Sequence, residues 1–191
     1  MPALSFLLAL VLANSGYMAV GPNEGVRVFD EGTGPPVVLV PGLSACAFGF
    51  REVAPLLREQ GFRTIIIEPL AVGESTRPKG ADYTLTAQAG RIATVMRRLN
   101  VDKALVVAHG LCFSMALRLA LEEPDLVDAL VSIEGGPAET AGTSTVTTGL
   151  KMAKVLIKFV GDDFIYNGSK TILEKSSGDP SRITRQTIYE Y

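Results

Sequence analysis

The stretch Leu105-Val106-Val107-Ala108-His109-Gly110-Leu111-Cys112 decides the fold. It is a short apolar run, rich in β-branched residues, that passes with almost no loop into a helical pattern over residues 111–122. The chain must therefore turn sharply from strand to helix at His109-Gly110. Glycine suits such a corner, because it takes backbone angles that other residues adopt only under strain.

Outward from this corner, short apolar runs alternate with longer amphipathic ones. Strands are expected at residues 26–30, 37–40, 64–67, 104–107 and 129–133, and all but the first are nearly continuous apolar runs, as in strands covered on both faces. Between them, residues 51–59 carry Val53, Leu56 and Leu57 at helical spacing, and residues 86–99 carry Ile92, Val95, Met96 and Leu99 on one face. This alternation predicts an α/β fold, a mostly parallel sheet of about five strands flanked by helices. After Gly135-Gly136-Pro137 the texture changes to Thr- and Gly-rich residues. An apolar helical stretch at 150–160, a second helix at 164–175 and a polar tail follow.

With 191 residues, 47% of them apolar and 20% charged, the chain can bury a sizeable core in one globular domain. A net charge of −2, with Lys and Arg scattered among Asp and Glu, offers no basic stripe for a phosphate backbone, so nucleic acid is not an expected partner. Cys46 and Cys112 are too few for a disulfide framework and match no metal spacing. Residues 4–13 form an apolar run followed by Asn14-Ser15-Gly16, similar to a secretory signal with its cleavage site but without a basic start, and too short to span a bilayer. Two readings stay open for residues 1–19: an exported signal, placing the protein in a secreted or periplasmic compartment, or a segment packed on a cytoplasmic domain. Export would put both cysteines in an oxidising compartment.

The motifs, in their order, resemble the α/β-hydrolase superfamily, esterase- and lipase-like, over roughly residues 26–137. Val37-Val38-Leu39-Val40-Pro41-Gly42-Leu43 resembles the third strand and its oxyanion loop, with Pro41 in the usual His place. Glu68-Pro69-Leu70-Ala71-Val72-Gly73-Glu74-Ser75 resembles the Asp-x-x-Gly-x-Gly-x-Ser turn. Ala108-His109-Gly110-Leu111-Cys112 resembles the nucleophile elbow Gly-His-Ser-x-Gly, with Gly110 in the nucleophile place and both flanking glycines replaced. The resemblance implies an incomplete α/β-hydrolase fold over residues 20–137 and a helical cap over 138–191. It also implies an oxyanion-type site from the Leu43 and Leu111 N–H groups, and a pocket lined by Leu43, Phe48, Leu111, Met152 and Leu156.

It implies a deficit as well. A Ser-His-acid triad needs a hydroxyl, an imidazole within reach and an acid to orient it. His109, the single histidine of the sequence, adjoins the elbow, where a packed, hydrogen-bonded structural role is expected. Cys112 and Ser114 are weak substitute nucleophiles, expected to be small buried residues packing helix on sheet. Glu134, at the end of the last strand, is the remaining acid candidate, and a solvated loop residue is its plainer reading. No metal or cofactor is called for. The expectation is a catalytically defective hydrolase relative. The alternatives are a binder of a small apolar or acyl ligand, and an active hydrolase completed by a C-terminal extension or a second chain. Residues 129–133 are expected to form an exposed sheet edge and a route to self-association.

Overall fold

The computed structural model describes residues 15–43, 45–136 and 162–190. The chain divides into two compact units, Met1–Pro137 and Ala138–Tyr191. The first unit holds strands β1 (Ser15–Gly21), β2 (Glu24–Glu31), β3 (Pro36–Val40), β4 (Arg63–Glu68), β5 (Ala104–His109) and β6 (Val127–Ile133). Its helices are α1 (Val53–Glu59), α2 (Leu85–Arg98) and α3 (Phe113–Glu122). The strands form one sheet in the order β1-β2-β4-β3-β5-β6. The pairs β3–β4, β3–β5 and β5–β6 are parallel, whereas β1–β2 and β2–β4 are antiparallel.

Apolar content explains this order. Val38, Leu39 and Val40 are wholly buried at the sheet centre, with Ile65 and Ile67 beside them. Each such side chain contributes roughly 1.5–3 kcal/mol on burial. Helix α2 lays Ala89, Ile92, Ala93, Val95 and Met96 on one face of the sheet, and α3 adds Met115, Ala116 and Leu119 to the same cluster. Helix α1 covers the other face through Ala54 against Val37, Leu39, Phe50 and Ile66. The start of α2 is fixed by Thr84, whose hydroxyl accepts the Ala87 N–H at 3.2 Å.

Two differences from the sequence expectation concern the ends of the described chain. The sheet has six strands, not about five, because β1 forms a hairpin with β2 through Pro22-Asn23, with Asn23 left-handed at φ 60°. Residues 15–19 of the expected signal-like segment are therefore part of the sheet, while residues 4–13 lie outside the described residues. In the second unit, the expected polar tail contains a helix. After α4 (Asp162–Ser176), the Asp179 carboxylate accepts the Ser181 N–H at 3.1 Å in a short 3₁₀ turn. Thr184 then accepts the Thr187 N–H at 3.1 Å and opens α5 (Arg185–Glu190). The stretch 150–160 lies outside the described residues.

The expected coverage of β6 on both faces is also not met. Ala129, Val131 and Ile133 point to one face of the sheet and are exposed, Val131 by 42% and Ile133 by 38%. Strand β6 lies at the sheet edge, paired on one side by β5 among the described residues.

Candidate functional site

At the carboxyl end of β5 the backbone turns through His109, Gly110 and a single 3₁₀ turn, Gly110–Cys112, directly into α3. Gly110 sits at φ +57°, and a β-carbon added to it would meet nothing within 4 Å among the described residues. The corner thus combines left-handed backbone with open space where a side chain would stand. Leu111 lies in the first turn, whose N–H groups have no acceptor within the helix.

Two loops converge on this corner, and a third braces one of them. The loop after β3 brings Gly42 so close that a β-carbon on it would lie 2.6 Å from His109 Nδ1, so a larger residue there would displace the imidazole. A turn there is closed by the Ala45 N–H bonding to Gly42 O at 3.0 Å, and Leu43 projects from it, 48% exposed. The loop after β6 packs from the opposite side. A β-carbon on Gly135 would collide with Gly110 O and approach Phe113 Cβ to 2.8 Å, and Ser114 Oγ donates to Gly136 O at 3.1 Å. The same loop carries Glu134, left-handed at φ 52°, and sets its Oε2 3.5 Å from His109 Nε2. The third loop, after β4, is held by Glu68. This carboxylate is 2% exposed and accepts the Ala47 N–H at 2.7 Å through Oε1 and the Glu74 N–H at 2.8 Å through Oε2.

The candidates read from the sequence fall into two groups. Gly42, Leu43, His109, Gly110, Leu111 and Glu134 gather around the corner. Cys112 and Ser114 point into the core: Cys112 has no exposed surface, and burial pushes its thiol up to about 12. A thiol held neutral in this way is a poor nucleophile. Ser114 is 4% exposed, with its hydroxyl engaged by the post-β6 loop. No disulfide joins Cys46 to Cys112. Phe48 lies in a 3₁₀ turn, Ala47–Phe50, with the Arg51 guanidinium 4.1 Å over its ring. Met152 and Leu156 lie outside the described residues.

Two features escaped the sequence reading. One is the His109–Glu134 pair, whose members lie 25 residues apart with no pattern in the sequence that joins them. The other is Glu68, seen only as a motif letter, whose burial at a strand end with two N–H partners depends on tertiary structure.

The profile of the alpha/beta hydrolase fold matches residues 35–181, most of the chain. The chain belongs to this family. Among curated α/β-hydrolase relatives, bifunctional epoxide hydrolase 2 of Rattus norvegicus is 26% identical over 119 residues, covering 62% of this chain and 22% of its own length. Haloalkane dehalogenase 2 of Mycobacterium tuberculosis is 30% identical over 106 residues, covering 56% of this chain and 37% of its own. Cfl2 from Burkholderia cenocepacia superposes with a TM-score of 0.79 at 20% identity over 93% of this chain and 64% of that one, a likeness of fold. The chain thus spans between about a fifth and two fifths of the length of these two curated relatives. No helix among the described residues of this α/β-hydrolase chain is long and apolar enough to cross a membrane.

Proposed function

We propose that this chain is a non-hydrolytic α/β-hydrolase, in which the elbow has kept its backbone and lost its nucleophile. One observation carries the reading: the left-handed strand-to-helix corner, where the family places a reacting side chain, holds Gly110 with open space above it among the described residues. The substitutes nearby do not repair the loss. The Cys112 thiol is buried and kept protonated, and the Ser114 hydroxyl bonds to Gly136 O. His109 faces Glu134 across 3.5 Å, but no hydroxyl stands at position 110 to give up a proton. The test is hydrolysis of 4-nitrophenyl acetate. A rate no greater than that of buffer is expected; turnover lost on Cys112→Ala or Ser114→Ala would overturn the reading, and turnover surviving both would point to groups supplied from outside this chain.

The same space favours a second, compatible role, retention of a small ligand. The relatives are named for an epoxide and a haloalkane, both apolar, and the ligand proposed here is a small apolar or acyl molecule with a carbonyl oxygen. Its oxygen would lie toward the Leu111 and Leu43 N–H groups, where the positive end of α3 adds to the attraction. Titration of ¹⁵N-labelled protein with ethyl butyrate should shift the Leu43 and Leu111 amide resonances first. Shifts confined to other parts of the chain, or none, would remove this role.

A further inference from the structure

We infer that Glu68 is the positioning residue of the site, a buried carboxylate that sets the post-β3 loop against the elbow. Its two oxygens serve two different loops. Oε1 accepts the N–H of Ala47, where the post-β3 loop ends, and Oε2 accepts the N–H of Glu74 in the turn after β4. The main chain of the same residue is held too: Ser75 Oγ donates to Glu68 O at 2.6 Å and accepts the Arg27 N–H of β2 at 2.8 Å. One residue at the end of β4 therefore ties the post-β3 loop, the post-β4 turn and strand β2 together at the carboxyl end of the sheet.

With the two loops spaced as they are in this chain, the full length of glutamate is used. The carboxylate is 2% exposed and both partners are donors, so each oxygen must accept. Glutamine supplies one oxygen and one NH₂, and the NH₂ would face an N–H. Aspartate is shorter by one methylene, about 1.5 Å of reach, and cannot span both loops at once. Gly73 lies at φ +51°, and a β-carbon on it would fall on the Glu68 carboxyl group. Glycine at 73 thus leaves the space in which the carboxylate lies. The post-β3 loop also carries Gly42, pressed on His109, and Leu43, whose N–H was assigned to the ligand. Displacing its Ala47 end shifts that loop relative to Gly110.

This inference rests on the ligand-binding reading for its consequence, but not for the geometry, so two measurements separate them. Amide hydrogen exchange of Glu68→Gln and Glu68→Asp, followed by NMR, reads the geometry. Exchange of the Ala47 or Glu74 amide should quicken by about tenfold or more in each variant, the change expected when a hydrogen bond to a charged group is lost. Val38 and Val106, in the sheet centre, should keep wild-type rates. Unchanged Ala47 and Glu74 rates would overturn the inference, as would equal acceleration of Val38 and Val106, which would make Glu68 a contributor to global stability alone. Ethyl butyrate titration reads the consequence: weaker binding is expected in Glu68→Gln than in wild type. If wild type itself shows no response at Leu43 and Leu111, the ligand reading fails while the latch stands on the exchange data. If wild type binds and Glu68→Gln binds equally with quickened loop exchange, the positioning role is overturned.

Discussion

His109 Nε2 and Glu134 Oε2 stand 3.5 Å apart across the corner that ends β5, one carried by the strand and the other by the loop after β6. The pair is open to solvent, with side-chain exposures of 39% and 84%. Exposed pairs of this kind contribute little, so Glu134→Gln should change unfolding stability by less than about 1 kcal/mol. Backbone matters more at this position, since Glu134 is left-handed at φ 52°, at a cost of roughly 1–2 kcal/mol for a residue with a β-carbon. Glu134→Gly should therefore equal or exceed wild type in urea denaturation, and Glu134→Val should fall below both. A larger loss from Gln than from Val would show that the charge, not the backbone, governs this loop.

Cys112 offers a chemical check of the core. Its thiol, raised by burial from 9.0 to about 12, stays protonated in the folded chain when the unfolded chain has ionised. The unfolded state then binds fewer protons, so stability is full below pH 9 and declines as pH rises from about 9 to about 12. Cys112→Ala should flatten this decline relative to wild type. Native protein at pH 8 should react with a disulfide reagent at Cys46, which is half-buried, and Cys112 should label only on unfolding. Rapid native labelling of Cys112 would contradict the packing of α3 on the sheet.

The Arg91–Glu24 pair ties α2 to the β1–β2 hairpin. Arg91 Nε and Nη2 donate to the two Glu24 oxygens at 2.9 and 2.7 Å, with side-chain exposures of only 10% and 16%. The Arg91 guanidinium beside Glu24 holds its carboxyl below the usual 4.5. The lowered value means that the contribution is present above pH 4.5 and is lost as pH falls through the folded value. Arg91→Ala, which strands a mostly buried carboxylate, should cost about 2–4 kcal/mol and remove that acid-side loss. A cost below about 0.5 kcal/mol would place the pair with ordinary surface ion pairs.

Much of this architecture was legible because the interior strands β3, β4 and β5 are apolar on both faces and read as continuous runs in the sequence. Strand β1 was not legible. Its sequence, Ser-Gly-Tyr-Met-Ala-Val-Gly, is bounded by glycines, and Tyr17 and Ala19 face solvent while Met18 and Val20 meet the core. Beside a longer apolar run it reads as part of a signal-like segment. The corner at Gly110 was legible because a strand ran straight into a helix through one glycine. The His109–Glu134 approach was not, because it depends on a left-handed residue after β6 and on Gly135 fitting against Gly110 O. Such contacts are set by loop geometry, which carries no periodic signal.

Strand β6 makes a prediction about solution behaviour. Ala129, Val131 and Ile133 form an exposed apolar row on a strand that is an edge among the described residues, and edges of this kind promote association. Sedimentation velocity over a concentration series should show self-association that Val131→Lys reduces. Identical sedimentation of the two proteins would indicate that this edge is covered in solution.

The most direct test of the central claim is single-turnover reaction of Gly110→Ser with 4-nitrophenyl acetate beside wild type. The open space at position 110 admits the side chain, with roughly 1–2 kcal/mol of backbone strain. No burst of 4-nitrophenol is predicted from either protein, because the one imidazole of the sequence, His109, is carried by the residue next to position 110 and turns its Nε2 to Glu134. A stoichiometric burst from Gly110→Ser would contradict the account, since it would mean that the chain still holds a working base and that glycine alone keeps it silent.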